Sequence, residues 1–150
     1  MKDLLTAIQT QLRTDLTYIR DSDIYIAPHE NYIPTQVRFP AIGIKDGPVT
    51  RTELTRGEVV ESERAVSIIV YVKLAKPEAA VMGDDATDKK GVLDIINDIH
   101  DSLHGNKLSL SGTSHVFSPS ESESELFGDE SEYVQKKAVR YEYTQEEAIS

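Results

Sequence analysis

The 150-residue chain contains no cysteine. This excludes a disulfide scaffold, a thiolate nucleophile and any tetrahedral zinc site built on sulfur, and it fits a reducing compartment. Long apolar runs are missing as well. The longest uninterrupted one is Ile68 to Val72, against the ~20 residues that a membrane-spanning helix needs. The opening stretch places Asp3, Gln9, Gln11, Arg13 and Asp15 where a signal peptide would be apolar, so no leader and no membrane association are expected. Positive charge is scarce: 16 Lys and Arg stand against 26 Asp and Glu, for a net charge of −10. The basic residues are dispersed, which argues against a face that grips a phosphate backbone. There is no Gly-x-Ser-x-Gly elbow, phosphate loop or dinucleotide fingerprint, so the common enzyme classes begin without support.

What the chain does contain is enough apolar residue, 39 %, for one core. A chain of this size buries roughly two-thirds of its unfolded surface, which suits one domain over 1–150 better than two. Leu4, Leu5, Ile8, Leu12, Leu16 and Ile19 fall on one stripe of a helix, and Ile24 to Ala27 read as a short strand stopped by Pro28. Residues 29–40 read as a loop, Ala41 to Ile44 as a strand, and Asp46-Gly47-Pro48 as a turn. Val49 to Glu63 is rich in Thr, Arg and Glu around Gly57, as in a polar hairpin that reaches beyond the core and needs a neighbour to order it.

Val66, Ile68, Val70, Val72 and Leu74 then alternate along the strongest strand pattern. Ile69 and Tyr71 make its second face partly apolar too, which predicts contact there with another layer or subunit. Residues 77–85 read as a connector. Asp84, Asp85, Thr87 and Asp88 offer caps to a second amphipathic helix with Val92, Ile95, Ile96, Ile99 and Leu103 on its buried stripe and Gly105-Asn106 at its stop. Lys107 to Leu110 suggests a short strand. Ser118 to Glu132 holds five serines and six acids, with only Leu126 and Phe127 as large apolar residues, and predicts a mobile acidic loop. Tyr133 to Glu146 reads as a final strand with Val139, Tyr141 and Tyr143 on one side and Lys136, Arg140 and Glu142 on the other. The expected fold is α+β: an antiparallel or mixed sheet, two amphipathic helices packed on it, and an extended hairpin.

His100 and His104 sit four apart on the second helix and resemble the histidine pair of zinc metalloproteases. Asp101 stands where that pattern has a glutamate base, and a third ligand would have to be His115 or a loop acid. The alternative is that both imidazoles complement the helix C-terminus. Asp84, Asp85 and Asp88, with the acids of Ser120 to Glu125, lack EF-hand spacing and read as solvated charge. No cofactor is expected.

The layout resembles the tail terminator, or tail completion, proteins of long-tailed bacteriophages and phage-like particles. The resemblance rests on the Leu4 to Ile19 helix, Phe39-Pro40-Ala41-Ile42-Gly43-Ile44, the polar hairpin, the Ala65 to Leu74 strand, the Val92 to His100 helix and the closing Val139-Arg140-Tyr141-Glu142-Tyr143. It implies a structural virion protein without enzymatic activity, assembled in the host cytoplasm into a ring, usually of six subunits. Such a ring caps the tail tube protein, ends polymerisation and offers a surface to a head-completion or neck protein, while DNA passes through its lumen without specific binding. Arg51, Arg56, Glu58, Ile69 and Tyr71 are then candidates for subunit or tube contact. Glu121, Glu123, Glu125 and Asp129 are candidates for a lumen or docking loop. A head-side neck or connector protein, another adaptor, and a His100/His104 metal-dependent hydrolase are the rival readings.

Overall fold

A computed structural model describes residues 1–74, 76–128 and 133–148. In chain order the elements are helix α1 (Lys2–Asp15), strands β1 (Ile24–Ile26), β2 (Ala41–Thr55) and β3 (Val59–Val72), helices α2 (Pro77–Met82) and α3 (Val92–Leu103), and strands β4 (Thr113–Glu121), β5 (Glu125–Phe127) and β6 (Val134–Ala148). The strands form one open sheet ordered β1-β2-β3-β6-β4, with β5 continuing the β4 edge along β6. Every pairing is antiparallel except β1 with β2. The expected α+β class is therefore what the chain adopts, with two substantial helices and one short one.

Both substantial helices lie on one face. Leu4, Ile8 and Leu12 of α1 and Val92, Ile95, Ile96, Ile99 and Leu103 of α3 are buried in one cluster with Ile42, Ile44, Val66, Ile68, Val70, Val139, Tyr141 and Tyr143. α1 stops a turn earlier than its stripe suggests: Leu16 leaves the helical region, yet Leu16 and Ile19 stay buried. Residues 77–82 are helical where a plain connector was expected, with Pro77 in the first turn, where its missing N–H costs no helical hydrogen bond. α3 begins at Gly91, whose N–H donates to Asp94 Oδ2 at 3.1 Å, and the expected cap Asp84 instead closes a separate turn through the Ala86 N–H. A side chain at Gly91 would place its Cβ 2.5 Å from the Val81 carbonyl oxygen, so the α2–α3 approach requires glycine there.

The other face of the sheet is filled from within the chain. Ile69 and Tyr71 are 1 % and 0 % exposed, packed with Val134 beneath Ile33, Phe39 and Phe127. Within the single chain they are already enclosed: the 28–40 loop and β5 supply the layer that their apolarity calls for. Two polar anchors hold the loop down. Asp23, itself buried, accepts from Arg20 Nε (2.7 Å), Arg20 Nη2 (2.9 Å) and the Arg38 N–H (3.0 Å). Burial alone would raise the Asp23 pKa, but these partners more than offset it and hold the group below the usual carboxylate range. Lys136, on the side of β6 away from Val139 and Tyr141, is buried, and its Nζ donates to Glu30 Oε1 (3.0 Å) and Asn31 Oδ1 (2.5 Å).

Three local expectations change. Asp46-Gly47-Pro48 is a bulge inside a continuous β2, because the strand resumes its pairing with β3 at Val49 after a register shift. Lys107 to Leu110 is a turn: Leu108 and Ser109 have φ of 58° and 56°, and Asn106 Oδ1 accepts the Leu108 N–H at 2.8 Å. The stretch expected as a mobile acidic loop, 118–132, is strand for much of its described length. β4 runs to Glu121 and β5 covers 125–127, while Asp129 and residues 130–132 lie outside the described residues. Ser118 Oγ donates to the Arg140 carbonyl (2.7 Å) and Ser122 Oγ accepts the Ala138 N–H (2.9 Å), so serines that suggested solvation also fasten the edge.

Because Tyr71 is enclosed by its own chain, Tyr71→Ala should destabilise the isolated subunit by about 3 kcal/mol. Urea unfolding of dilute protein measures this; an unchanged midpoint would mean that the second face is not part of the subunit's core.

Candidate functional site

The polar hairpin projects as a three-stranded arm. β2 and β3 stay paired to Thr55 and Val59, and β6 runs beside β3 to Ala148. The neighbour required to order the hairpin is thus first of all another strand of the same chain. Residues 50–58 are all exposed, Arg51, Arg56 and Glu58 among them. Arg51 is in register with Ser62, whereas Arg56 and Glu58 flank Gly57, whose φ of 75° closes the turn and whose N–H donates to Glu53 Oε1 at 2.9 Å. Leu54 stands at this tip 50 % exposed among polar neighbours. At the root of the arm Arg64 pairs with Glu147. A hydrogen bond with Glu142 and its charge hold Glu63 above the ordinary carboxylate range. The outer edge of β2 is open beyond Ile44, since β1 pairs only with Ile42 to Ile44.

The acidic candidates at the β4–β5 edge are not a free fringe. Glu121 turns toward α3, with Oε2 3.1 Å from His100 Nε2 and Oε1 3.3 Å from Lys137 Nζ. The hydrogen bond from His100, followed by that from Lys137, holds its carboxyl below the ordinary range despite some desolvation. Glu125 lies 3.6 Å from the Lys136 ammonium, and Glu123 is exposed.

His100 has both ring nitrogens occupied. The Tyr141 hydroxyl, buried and with its pKa raised by desolvation, donates to Nδ1 at 2.5 Å, and Nε2–H donates to Glu121. His104 caps the helix end in solvent, and His115 stacks on Phe117 on β4. The structure does not bring these histidines together as ligands. Among the described residues no three His, Asp or Glu side chains gather into a metal-binding group.

Sequence reasoning missed a pocket at the end of the sheet opposite the arm. Tyr18, Phe39, Pro40 and Leu74 meet Lys73, Asp88, Lys89 and Lys90 around a cavity of about 380 Å³. Lys90 lies 4.4 Å from the Tyr18 ring centroid and donates to Asp98 at 2.5 Å. Among the described residues no carboxylate lies within ion-pair distance of Lys73 or Lys89. The four chain segments involved are far apart in sequence, and no local pattern announces their convergence.

The fold has a counterpart among solved structures. A chain in the solved virion of a native gene transfer agent particle is similar, with a TM-score of 0.61 over 96 % of this chain and 95 % of that one, at 16 % sequence identity. No family model and no curated protein matches the sequence. The likeness is one of fold, and it extends almost from end to end of both chains.

The Glu121 contacts give a signed pH dependence. A carboxyl whose folded pKa is depressed adds stability that is present above its unfolded pKa and lost as pH falls through the folded value. With Glu121 42 % exposed in its side chain, Glu121→Gln should cost only about 0.5 kcal/mol at pH 7 and progressively less as the pH is lowered through and below the ordinary carboxylate range. Thermal melts of both proteins across that range check it; a constant difference between them would contradict the assignment.

Proposed function

We propose that this chain is a structural subunit of a phage-like particle, without enzymatic activity, and that it works as a tail terminator. The whole of 1–150 acts as one such domain. In this reading copies close into a ring, six in number, on the end of the tail tube, stop further addition of tube protein, and present a surface to a head-completion or neck protein. Assembly takes place in the host cytoplasm and the protein resides in the virion at the tail–neck junction.

The observation that carries this reading is the near end-to-end fold likeness to a chain of a gene transfer agent virion. The three-stranded arm supports it: a long, exposed, well-paired extension adds nothing to the subunit's own core and is suited to contact with another molecule. Arg51, Arg56 and Glu58 would meet the neighbouring subunit or the tail tube protein. The β4–β5 edge, with Glu121, Glu123 and Glu125, would face the lumen or the docking partner; Asp129, the fourth candidate, lies outside the described residues. An acidic lumen would let DNA pass without holding it, because like charge repels the phosphates. In a heterologous ring each subunit offers one patch to a different patch on the next.

The same likeness accommodates a head-side neck protein, since it concerns a particle and not a position within it. Purified protein mixed with growing tail tubes separates the two. Negative-stain images should show six-fold rings seated on tube ends and tube length held fixed. Rings that attach only to DNA-filled heads would transfer the protein to the head side. A strict monomer that leaves tube growth unaffected would overturn both. Metal analysis, with a chelator leaving the melting temperature unchanged, would separately dismiss a His100/His104 hydrolase.

A further inference from the structure

The arm tip and the lysine-rimmed pocket occupy opposite ends of one sheet. β2 starts directly after Pro40 in the pocket wall and runs for 15 residues to Thr55, a span of about 45 Å, so the tip cannot reach the pocket of its own chain. Their chemistry is complementary. Over residues 50–63 and 144–148 the arm carries six glutamates against two arginines. At its tip Leu54 is half exposed, with Glu53 and Glu58 close by in sequence. The pocket pairs an apolar lining of Phe39, Pro40 and Leu74 with Lys73 and Lys89, to which Asp88 adds one opposing charge. Its volume of about 380 Å³ leaves ample room for a leucine side chain.

We propose that the pocket is the receptor for the arm tip of a second copy of this chain, Leu54 entering the apolar lining while Glu53 and Glu58 lie against Lys73 and Lys89. This deepens the ring reading above and rests on it: two unlike, mutually complementary patches that cannot meet within one molecule make a head-to-tail contact. A polyanion is the competing occupant for lysines. The apolar lining favours the tip, because a phosphate backbone has nothing to place against Phe39 and Leu74. Desolvating Leu54 supplies affinity, and the lysine–glutamate contacts at the rim set register and partner choice.

The test uses sedimentation of the full chain, with circular dichroism to establish that each variant is folded. Leu54→Asp and the double variant Lys73→Glu/Lys89→Glu should each weaken self-association at least tenfold. Mixed one to one, the two should recover dimers that grow no further, since one intact tip and one intact pocket remain per pair. Because the chain has no cysteine, Leu54→Cys combined with Leu74→Cys gives a clean crosslinking readout. Oxidation should yield a ladder of oligomers from this variant, and no species beyond a dimer from either single variant. Wild-type protein that assembles while both charge variants assemble equally well would overturn the contact and leave the ring standing. Wild-type protein that never self-associates would overturn ring and contact together. Duplex DNA that binds wild type and loses binding in Lys73→Glu/Lys89→Glu, with assembly unchanged, would overturn the proposal in favour of the polyanion.

Discussion

The two-sided pairing of β3 is the constraint from which the remaining structure follows. All fourteen of its residues pair with β6 in unbroken register, from Val59 opposite Ala148 to Val72 opposite Gln135, while β2 pairs along its other side with bulges. One half of this strand is apolar on both faces and the other half is polar. The apolar half must therefore be covered twice, and the polar half is free to leave the core. Because ladders of hydrogen bonds flank it on both sides, the projecting half is held as a blade of three strands, where an isolated two-stranded hairpin would be marginal.

The two covers differ in kind. Facing the helices, α1 and α3 supply regular stripes that meet Ile68, Val70 and Tyr141 in the main cluster. On the reverse face the cover is an irregular loop, and an irregular loop has backbone groups and a path that must be fixed individually. Asp23 and Lys136 do this, one tying Arg38 near the end of the loop to Arg20 ahead of β1 and the other gripping Glu30 and Asn31 near its start. Lys136 and Lys137 are neighbours on β6 and so point to opposite faces of the sheet. Each is buried and each meets its own carboxylates, Glu30 and Glu125 for one and Glu121 for the other. A single Lys-Lys pair thus fastens both the reverse-face loop and the β4 edge.

This arrangement explains which parts were legible in the sequence. The stripes of α1 and α3 and the alternation along β3 are local periodicities, and they identify those elements directly. Ile69 and Tyr71 signal a second layer. They carry no information on whether the layer comes from the chain or from a partner, because Ile33, Phe39 and Phe127 follow no period that would mark them as its cover. The acidic serine-rich stretch reads as a loop because its side chains are solvated. Its backbone pairing with β6 is non-local and leaves no trace in composition. The surroundings of His100 are hidden on the same ground: its helix spacing from His104 is visible, while Tyr141 and Glu121, which occupy both of its nitrogens, come from strands distant in sequence. The pocket is the extreme case, its wall being gathered from residues 18, 39–40, 73–74 and 88–90.

The placement of charge also limits how copies of the chain can meet. The arm concentrates glutamate, and two such arms brought side by side would set like charges within the roughly 8 Å over which exposed charges still act at physiological salt. An isologous contact, in which each arm meets the same arm of its partner, therefore works against the molecule's own electrostatics. A heterologous contact avoids this by turning each arm toward a different surface. Such a contact propagates from copy to copy, closing into a ring where the rotation permits and running on as a filament where it does not. It is the local glutamate of the arm, and not the net charge of −10, that disfavours arm-to-arm pairing; a two-fold contact through any other surface carries no such penalty.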